Sequence, residues 1–338
     1  MGEIIKRKKH VTSDDVAAVA GVSRWTVNRA FKSQSSISAN TRDRVMKAAK
    51  ELGYVPDLLA SSLASSQSNL VALLLDDFAN PHKLVVQEIL IKTLRANGFD
   101  SMLINTNGED DTEEAFLTAS RRRVDAVILI GSSFSDNVLK QARDAKHHKK
   151  LIVFLRRSNV EDTVPICVND ELAMSAMSAY VADRGYKKPY FIAGPQTHSA
   201  HLSRKETFVN WWKANKGIDI GCSSVSEYDF NLAFAHVVQL FKNTDRSNLP
   251  DVVVCENDIL AFGAIDALRY GLGLRVPEDI AVTGFDDVPD ASRPHYDLTT
   301  YKQPLQIMAN TLVRVLKGQE SSSGILEFEG ELKVRGSA

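Results

Sequence analysis

Thr12-Ser-Asp-Asp-Val-Ala-Ala-Val-Ala-Gly-Val-Ser-Arg-Trp-Thr-Val-Asn-Arg-Ala-Phe31 decides how the N-terminal part of this chain folds. Thr12 is placed to N-cap a short helix over residues 13–20, with Asp15 three positions on to close a capping box. Gly21-Val22 then supplies a turn, and Ser23 caps a second helix that runs to about Phe31. Ser38 caps a third helix through about Leu52, and Gly53 ends it. A helix, a short glycine-bearing turn and a second helix make a helix-turn-helix unit, whose second helix suits the major groove of DNA.

Outward from this unit the punctuation changes. Tyr54-Val55-Pro56 closes the first domain, Asp57 can cap a short helix to Ala64, and Ser65-Ser-Gln-Ser-Asn69 reads as a linker. From Leu70 onward, short apolar runs alternate with longer amphipathic segments, the pattern of βα units around parallel sheets. Strands are expected near 70–75, 100–105, 124–130, 151–155, 165–168, 189–193, 224–228, 251–255 and 280–284. They fall into two sets joined around 156–164, which predicts two doubly wound lobes with a cleft between them. Ligands of open α/β sheets sit at the carboxyl ends of strands, so residues just after each strand are the binding candidates.

Composition narrows the possibilities. The 338 residues are 44% hydrophobic and 25% charged, which excludes a disordered or collagenous chain and gives two domains enough apolar sequence for real cores. No apolar run approaches the ~20 residues of a bilayer span, and the N-terminal stretch lacks the apolar core of a signal peptide, so a cytoplasmic protein without membrane contact is expected. Cys167, Cys222 and Cys255 form no Cys-x-x-Cys pair, so neither a disulfide framework nor a zinc site is expected. The formal charge of −1 hides an asymmetry: the first 60 residues hold eleven Lys or Arg and six acids, a net of +5, leaving −6 for the remainder. A basic end on an acidic body suits a protein that meets a polyanion at one end only.

Several blocks, in order and at their spacings, resemble the lactose repressor/galactose repressor (LacI/GalR) family of bacterial transcription factors. They are residues 15–29, Thr41-Arg42, Leu52-Gly-Tyr-Val-Pro56, Ala60-x-x-Leu63, Asn80-Pro81 and Val124-Asp125. Further along come Glu256-Asn-Asp-Ile-Leu-Ala-Phe-Gly-Ala264, Arg275-Val-Pro-Glu-Asp279, Gly284-Phe-Asp-Asp287, Leu298-Thr-Thr300 and Gln303-Pro304. The resemblance implies an α-helical helix-turn-helix DNA-binding head over 1–56, a hinge helix and linker over 57–68, and an α/β bilobal core over 69–338. That core is of periplasmic-binding-protein type I, with two doubly wound parallel sheets. The N-lobe is expected over about 69–163 and 302–328, the C-lobe over about 164–301 and 329–338. A homodimer on a palindromic double-stranded operator, responding to a small sugar or sugar derivative and using no metal or cofactor, is the implied function.

For the head, the resemblance assigns Ser23, Arg24, Trp25, Thr26, Asn28 and Arg29 to DNA. Arg24 and Trp25 match the variable reading positions, and Arg29 an arginine that reads guanine, a contact worth ~1–3 kcal/mol of discrimination. Trp25 either meets a thymine methyl or packs beneath the head, since Val27, Ala30 and Phe31 give the same helix an apolar face. Thr26, Asn28 and Arg42, with Lys6 to Lys9, are candidates for phosphate contacts. Ala60 and Leu63 are the hinge positions, Leu63 as a wedge into the minor groove at the centre of the site. A helix this short is not stable alone, so it orders only in a DNA-bound dimer.

For the core, the resemblance places His82, Lys83, Arg156, His198, Arg204, Tyr228, Asn257 and Asp286 around the effector. Arg204, Asn257 and Asp286 follow the family's sugar-binding types, and Tyr228 an aromatic position that stacks on ligand rings. His82-Lys83 replaces two aromatics and Arg156 replaces an Asp or Asn, which points to an anionic effector such as a sugar acid or sugar phosphate. The alternative is that Glu256 or Asp286 neutralises Arg156 internally while Lys83 faces solvent. His147-His148 among lysines reads as a solvated helix end, and no catalytic elbow, phosphate loop or zinc-helix motif occurs, so an enzyme is not expected. An effector acting as co-repressor, or a soluble sugar-binding protein with no regulatory role, are the competing functions.

Overall fold

The computed structural model describes residues 11–31, 36–56, 67–106, 109–131, 134, 137, 139–140, 150–195, 202–321 and 323–338. The chain forms two compact units, residues 1–68 and 69–338. The proposed hinge helix with Ala60 and Leu63, the basic run Lys6 to Lys9, His147-His148 and His198 lie outside the described residues.

In the first unit, α1 (Ser13–Ala20), α2 (Arg24–Ala30) and α3 (Ala39–Leu52) each start at the expected cap. Thr12 and Asp15 form the reciprocal capping box; Ser23 and Ser38 accept from the N–H groups of Thr26 and Thr41. Gly21 and Gly53 end α1 and α3 at φ +63° and +65°, left-handed conformations that a side chain would strain. Val16, Ala17, Ala20, Val27, Ala30, Val45, Ala48 and Ala49 form the core between the helices. So many alanines let the helices approach closely, and Phe31 and Tyr54 seal the edge with ring centroids 5.7 Å apart.

The second unit holds two parallel sheets. The first has order β11-β5-β4-β3-β1-β2, built from β1 (Leu70–Leu75), β2 (Asp100–Asn105), β3 (Ala126–Ile130), β4 (Lys150–Phe154), β5 (Thr163–Val168) and β11 (Leu326–Phe328). Among its covering helices are α4 (Pro81–Ala96), α5 (Glu109–Arg121) and α10 (Leu305–Leu316). The second sheet has order β7-β6-β8-β9, from β6 (Pro189–Ala193), β7 (Gly221–Ser224), β8 (Val252–Cys255) and β9 (Ala281–Thr283). Around it pack α6 (Asp170–Asp183), α7 (Arg204–Lys216), α8 (Phe230–Phe241) and α9 (Asp258–Asp266). A small antiparallel pair, β10 (Thr300–Lys302) with β12 (Glu331–Lys333), completes this lobe. β1, β3 and β8 are buried nearly throughout, which is why they read as continuous apolar runs rather than alternating ones.

The structure corrects the expected lobe boundary near 164. Leu151–Phe154 pair in parallel with Thr163–Ile166, so β5 belongs to the first sheet and the chain crosses only after Val168, into α6. The remaining crossings fall between β10 and α10 and between β11 and β12, giving three strands of chain between the lobes. The strand expected at 224–228 lies instead at Gly221–Ser224, which leaves Tyr228 in the loop beyond it. β10, β11 and β12, three residues each, carry no periodicity long enough to read from sequence.

Candidate functional site

Residues of α2 divide sharply by face. Val27 and Ala30 are buried in the head, whereas Ser23, Arg24, Trp25 and Asn28 are exposed and Thr26 and Arg29 are partly so. Trp25 is 63% exposed, so its ring is not packed beneath the head. The Arg29 guanidinium lies 4.3 Å from the Trp25 ring centroid and donates to Ser36 Oγ at 2.6 Å, which fixes its reach. Arg24 stands 3.7 Å from Asp14 of α1, a solvated pair of little energetic consequence. Thr26 gives its N–H to the Ser23 cap, and their hydroxyls are 2.9 Å apart. Arg42 donates to the Ala30 carbonyl at 2.6 Å, closing the end of α2, so at least one arm of this expected phosphate ligand is occupied inside the head.

In the core, the carboxyl ends of strands and the first turns of helices in both lobes carry the described candidates. Asn80 caps α4 through the His82 N–H and so sets His82 and Lys83 on its first turn, both buried. His82 Nδ1 reaches 3.4 Å from Asp286 Oδ2, a contact that spans the two lobes. Lys83 is not solvent-facing: its Nζ lies 3.2 Å from Asp76 Oδ1 and 3.3 Å from the Ile130 carbonyl. Arg204 bonds Asp170 Oδ1 at 3.0 Å and the Glu256 carbonyl at 2.9 Å, with its guanidinium 3.6 Å above the Phe285 ring. Asp286, held at φ +120°, accepts from Gln303 Nε2 at 2.7 Å. Asn257 caps α9 through Leu260 N–H, which commits its Oδ1.

Tyr228 and Glu256 form a second buried arrangement. Glu256 Oε2 accepts from Gly194 N–H at 2.6 Å and from Tyr228 OH at 3.0 Å. Burial holds the Glu256 carboxyl above its ordinary pKa despite the nearby Arg204 charge, and burial together with Glu256 pushes the Tyr228 phenol well up. Burial likewise lowers His82 and Lys83, against the pull of Asp286 and Asp76 respectively. For Arg204, burial works against the charge, but Asp170, Asp286 and Glu256 more than offset it and raise its pKa.

Arg156 is different. It is 6% exposed, its Nη1 is buried without a hydrogen-bond partner, and among the described residues no carboxylate lies within ion-pair distance. The internal neutralisation by Glu256 or Asp286 allowed by the sequence is therefore not what forms. The expected cationic cleft is also corrected: Lys83 and Arg204 each face a carboxylate of their own, because burying a charge requires one, and His82, whose protonation burial disfavours, stands against Asp286. Asp77 Oδ2, His82 Nε2 and Gln303 Oε1 are further buried atoms without partners. Sequence reasoning missed Asp76, Asp77, Asp170 and Phe285 as site residues. Asp76-Asp77 directly follow β1, so the strand-end rule already pointed to them.

Comparison with known proteins agrees with both units. Residues 12–57 match the profile described as "Bacterial regulatory proteins, lacI family", and residues 68–330 that of "Periplasmic binding proteins and sugar binding domain of LacI family". The HTH-type transcriptional regulator CelR of Thermobifida fusca is 28% identical, covering 98% of this chain and 99% of its own length. A structure of the Lac repressor dimer bound to operator and the anti-inducer ONPF superposes with a TM-score of 0.81 at 25% identity, over 97% of this chain and 99% of that one. A CelR–cellobiose complex gives 0.68 at 26% identity, over 97% and 100%. With a helix-turn-helix head, two parallel-sheet lobes around a polar cleft, and family profiles matching both, the chain belongs to the LacI family and is a DNA-binding transcriptional repressor with that family's sugar-binding type of core.

Proposed function

We propose that this repressor binds a palindromic operator as a homodimer and is released from it by a small hydroxyl-rich ligand held between the core lobes, so controlling carbohydrate uptake or catabolism genes. The observation that carries this reading is that one buried site draws its groups from both lobes: His82, Lys83 and Arg156 from one, Arg204, Tyr228, Asn257 and Asp286 from the other. A ligand seated there bonds both lobes at once, and only differential affinity for two lobe arrangements can move an equilibrium. The Lac repressor relative is a dimer on its operator and CelR binds cellobiose, which supports carrying the same scheme to this chain. On DNA, Arg24, Trp25 and Arg29 read bases, Ser23 caps the helix start, and Thr26, Asn28 and Arg42 hold phosphates; Ala60 and Leu63 complete the contact set at the hinge, with His198 a further effector-binding candidate.

Selection of genomic fragments by the full-length protein tests this. A two-fold symmetric motif should emerge, and Arg29→Ala should weaken binding to it by roughly tenfold or more while leaving the melting midpoint of the core unchanged. Recovery of fragments without symmetry, or an Arg29→Ala protein that binds as tightly, would overturn the operator reading.

A further inference from the structure

The unpartnered atoms of the cleft specify what the ligand must bring. Among the described residues the other buried cations of the site have acceptors of their own: Lys83 has Asp76 and Arg204 has Asp170, while the His82 ring meets Asp286. Glu256 is held by the Gly194 N–H and the Tyr228 hydroxyl. Among the described residues, Arg156 keeps a buried Nη1 lacking any acceptor, and the unpartnered buried atoms also include Asp77 Oδ2, Gln303 Oε1 and His82 Nε2. A buried donor or acceptor left unmade is costly, so a site that keeps such groups is shaped for a partner that arrives with the ligand. Arg156 follows the carboxyl end of β4, and its charge acts on Asp77 and Lys83 of one lobe and on Tyr228 of the other, which puts it among groups of both lobes.

We propose that Arg156 seats the carboxylate of a hydroxylated acid, a sugar-acid class of effector, whose hydroxyls donate to Asp77 Oδ2 and Gln303 Oε1. This rests on the reading of the cleft as the effector site. A guanidinium fork matches a carboxylate in a planar, two-bond arrangement. A single unpaired cation close to the acidic Asp77 suits one negative charge better than a phosphate dianion. A neutral sugar would leave Arg156 buried and unpaired. The sequence difference at this position thereby becomes a specificity-determining residue.

The test uses full-length protein, wild type and Arg156→Met, in thermal melts and calorimetric titrations. The probes are D-gluconate, D-glucuronate and D-galacturonate against D-glucose, D-galactose and glucose 6-phosphate, each to about 20 mM, where even a millimolar binder shows. At least one acid should raise the wild-type midpoint while its neutral parent does not, and Arg156→Met should weaken that acid tenfold or more. Without any ligand, Arg156→Met should raise the midpoint by about 2 °C or more, since it removes an unpaired buried charge. The inference falls if neutral sugars or the phosphate alone stabilise the protein, if no acid does, or if acid binding survives Arg156→Met. It also falls if Arg156→Met lowers the ligand-free midpoint, since Arg156 would then be a structural partner. Neutral sugars that bind the cleft and release DNA would leave the gating mechanism standing and remove only the acid assignment.

Discussion

At Gly194 the absence of a side chain keeps the cleft in order. A Cβ there would stand 2.0 Å from Tyr228 Cε1, so Gly194→Ala must push the ring away from its hydrogen bond with Glu256. Overpacking of this kind costs ~1–3 kcal/mol, and differential scanning calorimetry should show a midpoint lowered by several degrees. His82 makes a pH prediction with a definite sign. Burial holds its pKa below 6.5, with Lys83 and Arg204 adding to the fall and Asp286 opposing it. The unfolded chain therefore binds a proton that the folded one refuses, so this contribution to stability is full above pH 6.5 and is lost as pH falls from there towards the lowered folded value. Denaturant titrations should show wild type losing up to about 1.4 kcal/mol per pH unit more than His82→Gln across that window, whereas parallel profiles would contradict the assignment. Trp25, projecting from α2, should behave oppositely to a core aromatic: Trp25→Ala leaves thermal stability within about 0.5 kcal/mol and weakens operator discrimination instead.

At the scale of the element, the three helices of the head depend on caps that can be removed singly. Ser23→Ala deletes the acceptor for Thr26 N–H and should cost ~1 kcal/mol, seen as roughly fivefold faster hydrogen exchange confined to the α2 amides. These helices were legible because a cap, a helical period and a terminal glycine are all local signals: Thr12 with Asp15, Ser23, Ser38 and Gly53 fall where the sequence puts them. β5 was assigned to the wrong lobe for the opposite reason, since its pairing with β4 is decided by register in space, which Thr163-Val-Pro-Ile-Cys-Val168 does not encode locally. The cleft divides the same way. That His82, Lys83, Arg156 and Arg204 belong to one site follows from the family resemblance, but that Asp76 takes Lys83 and Asp170 takes Arg204, leaving Arg156 alone, depends on distances in the folded core that the sequence does not state.

For the whole molecule, two parallel-sheet lobes joined by three chain crossings, at 168–170, 302–305 and 328–331, form a frame in which a bound ligand and the lobe arrangement are one equilibrium. The His82–Asp286 contact links the two lobes directly within the site, so ligand binding beside it bears on closure. If the core gates the head, the coupling must be reciprocal: whatever factor a ligand takes from DNA affinity, DNA must take from ligand affinity. The most direct measurement is therefore calorimetric titration of a core-stabilising ligand into the full-length protein, free and then saturated with its selected duplex at fixed salt. The account predicts that the duplex weakens ligand binding by about tenfold or more. Equal ligand affinity in the presence and absence of DNA would contradict it.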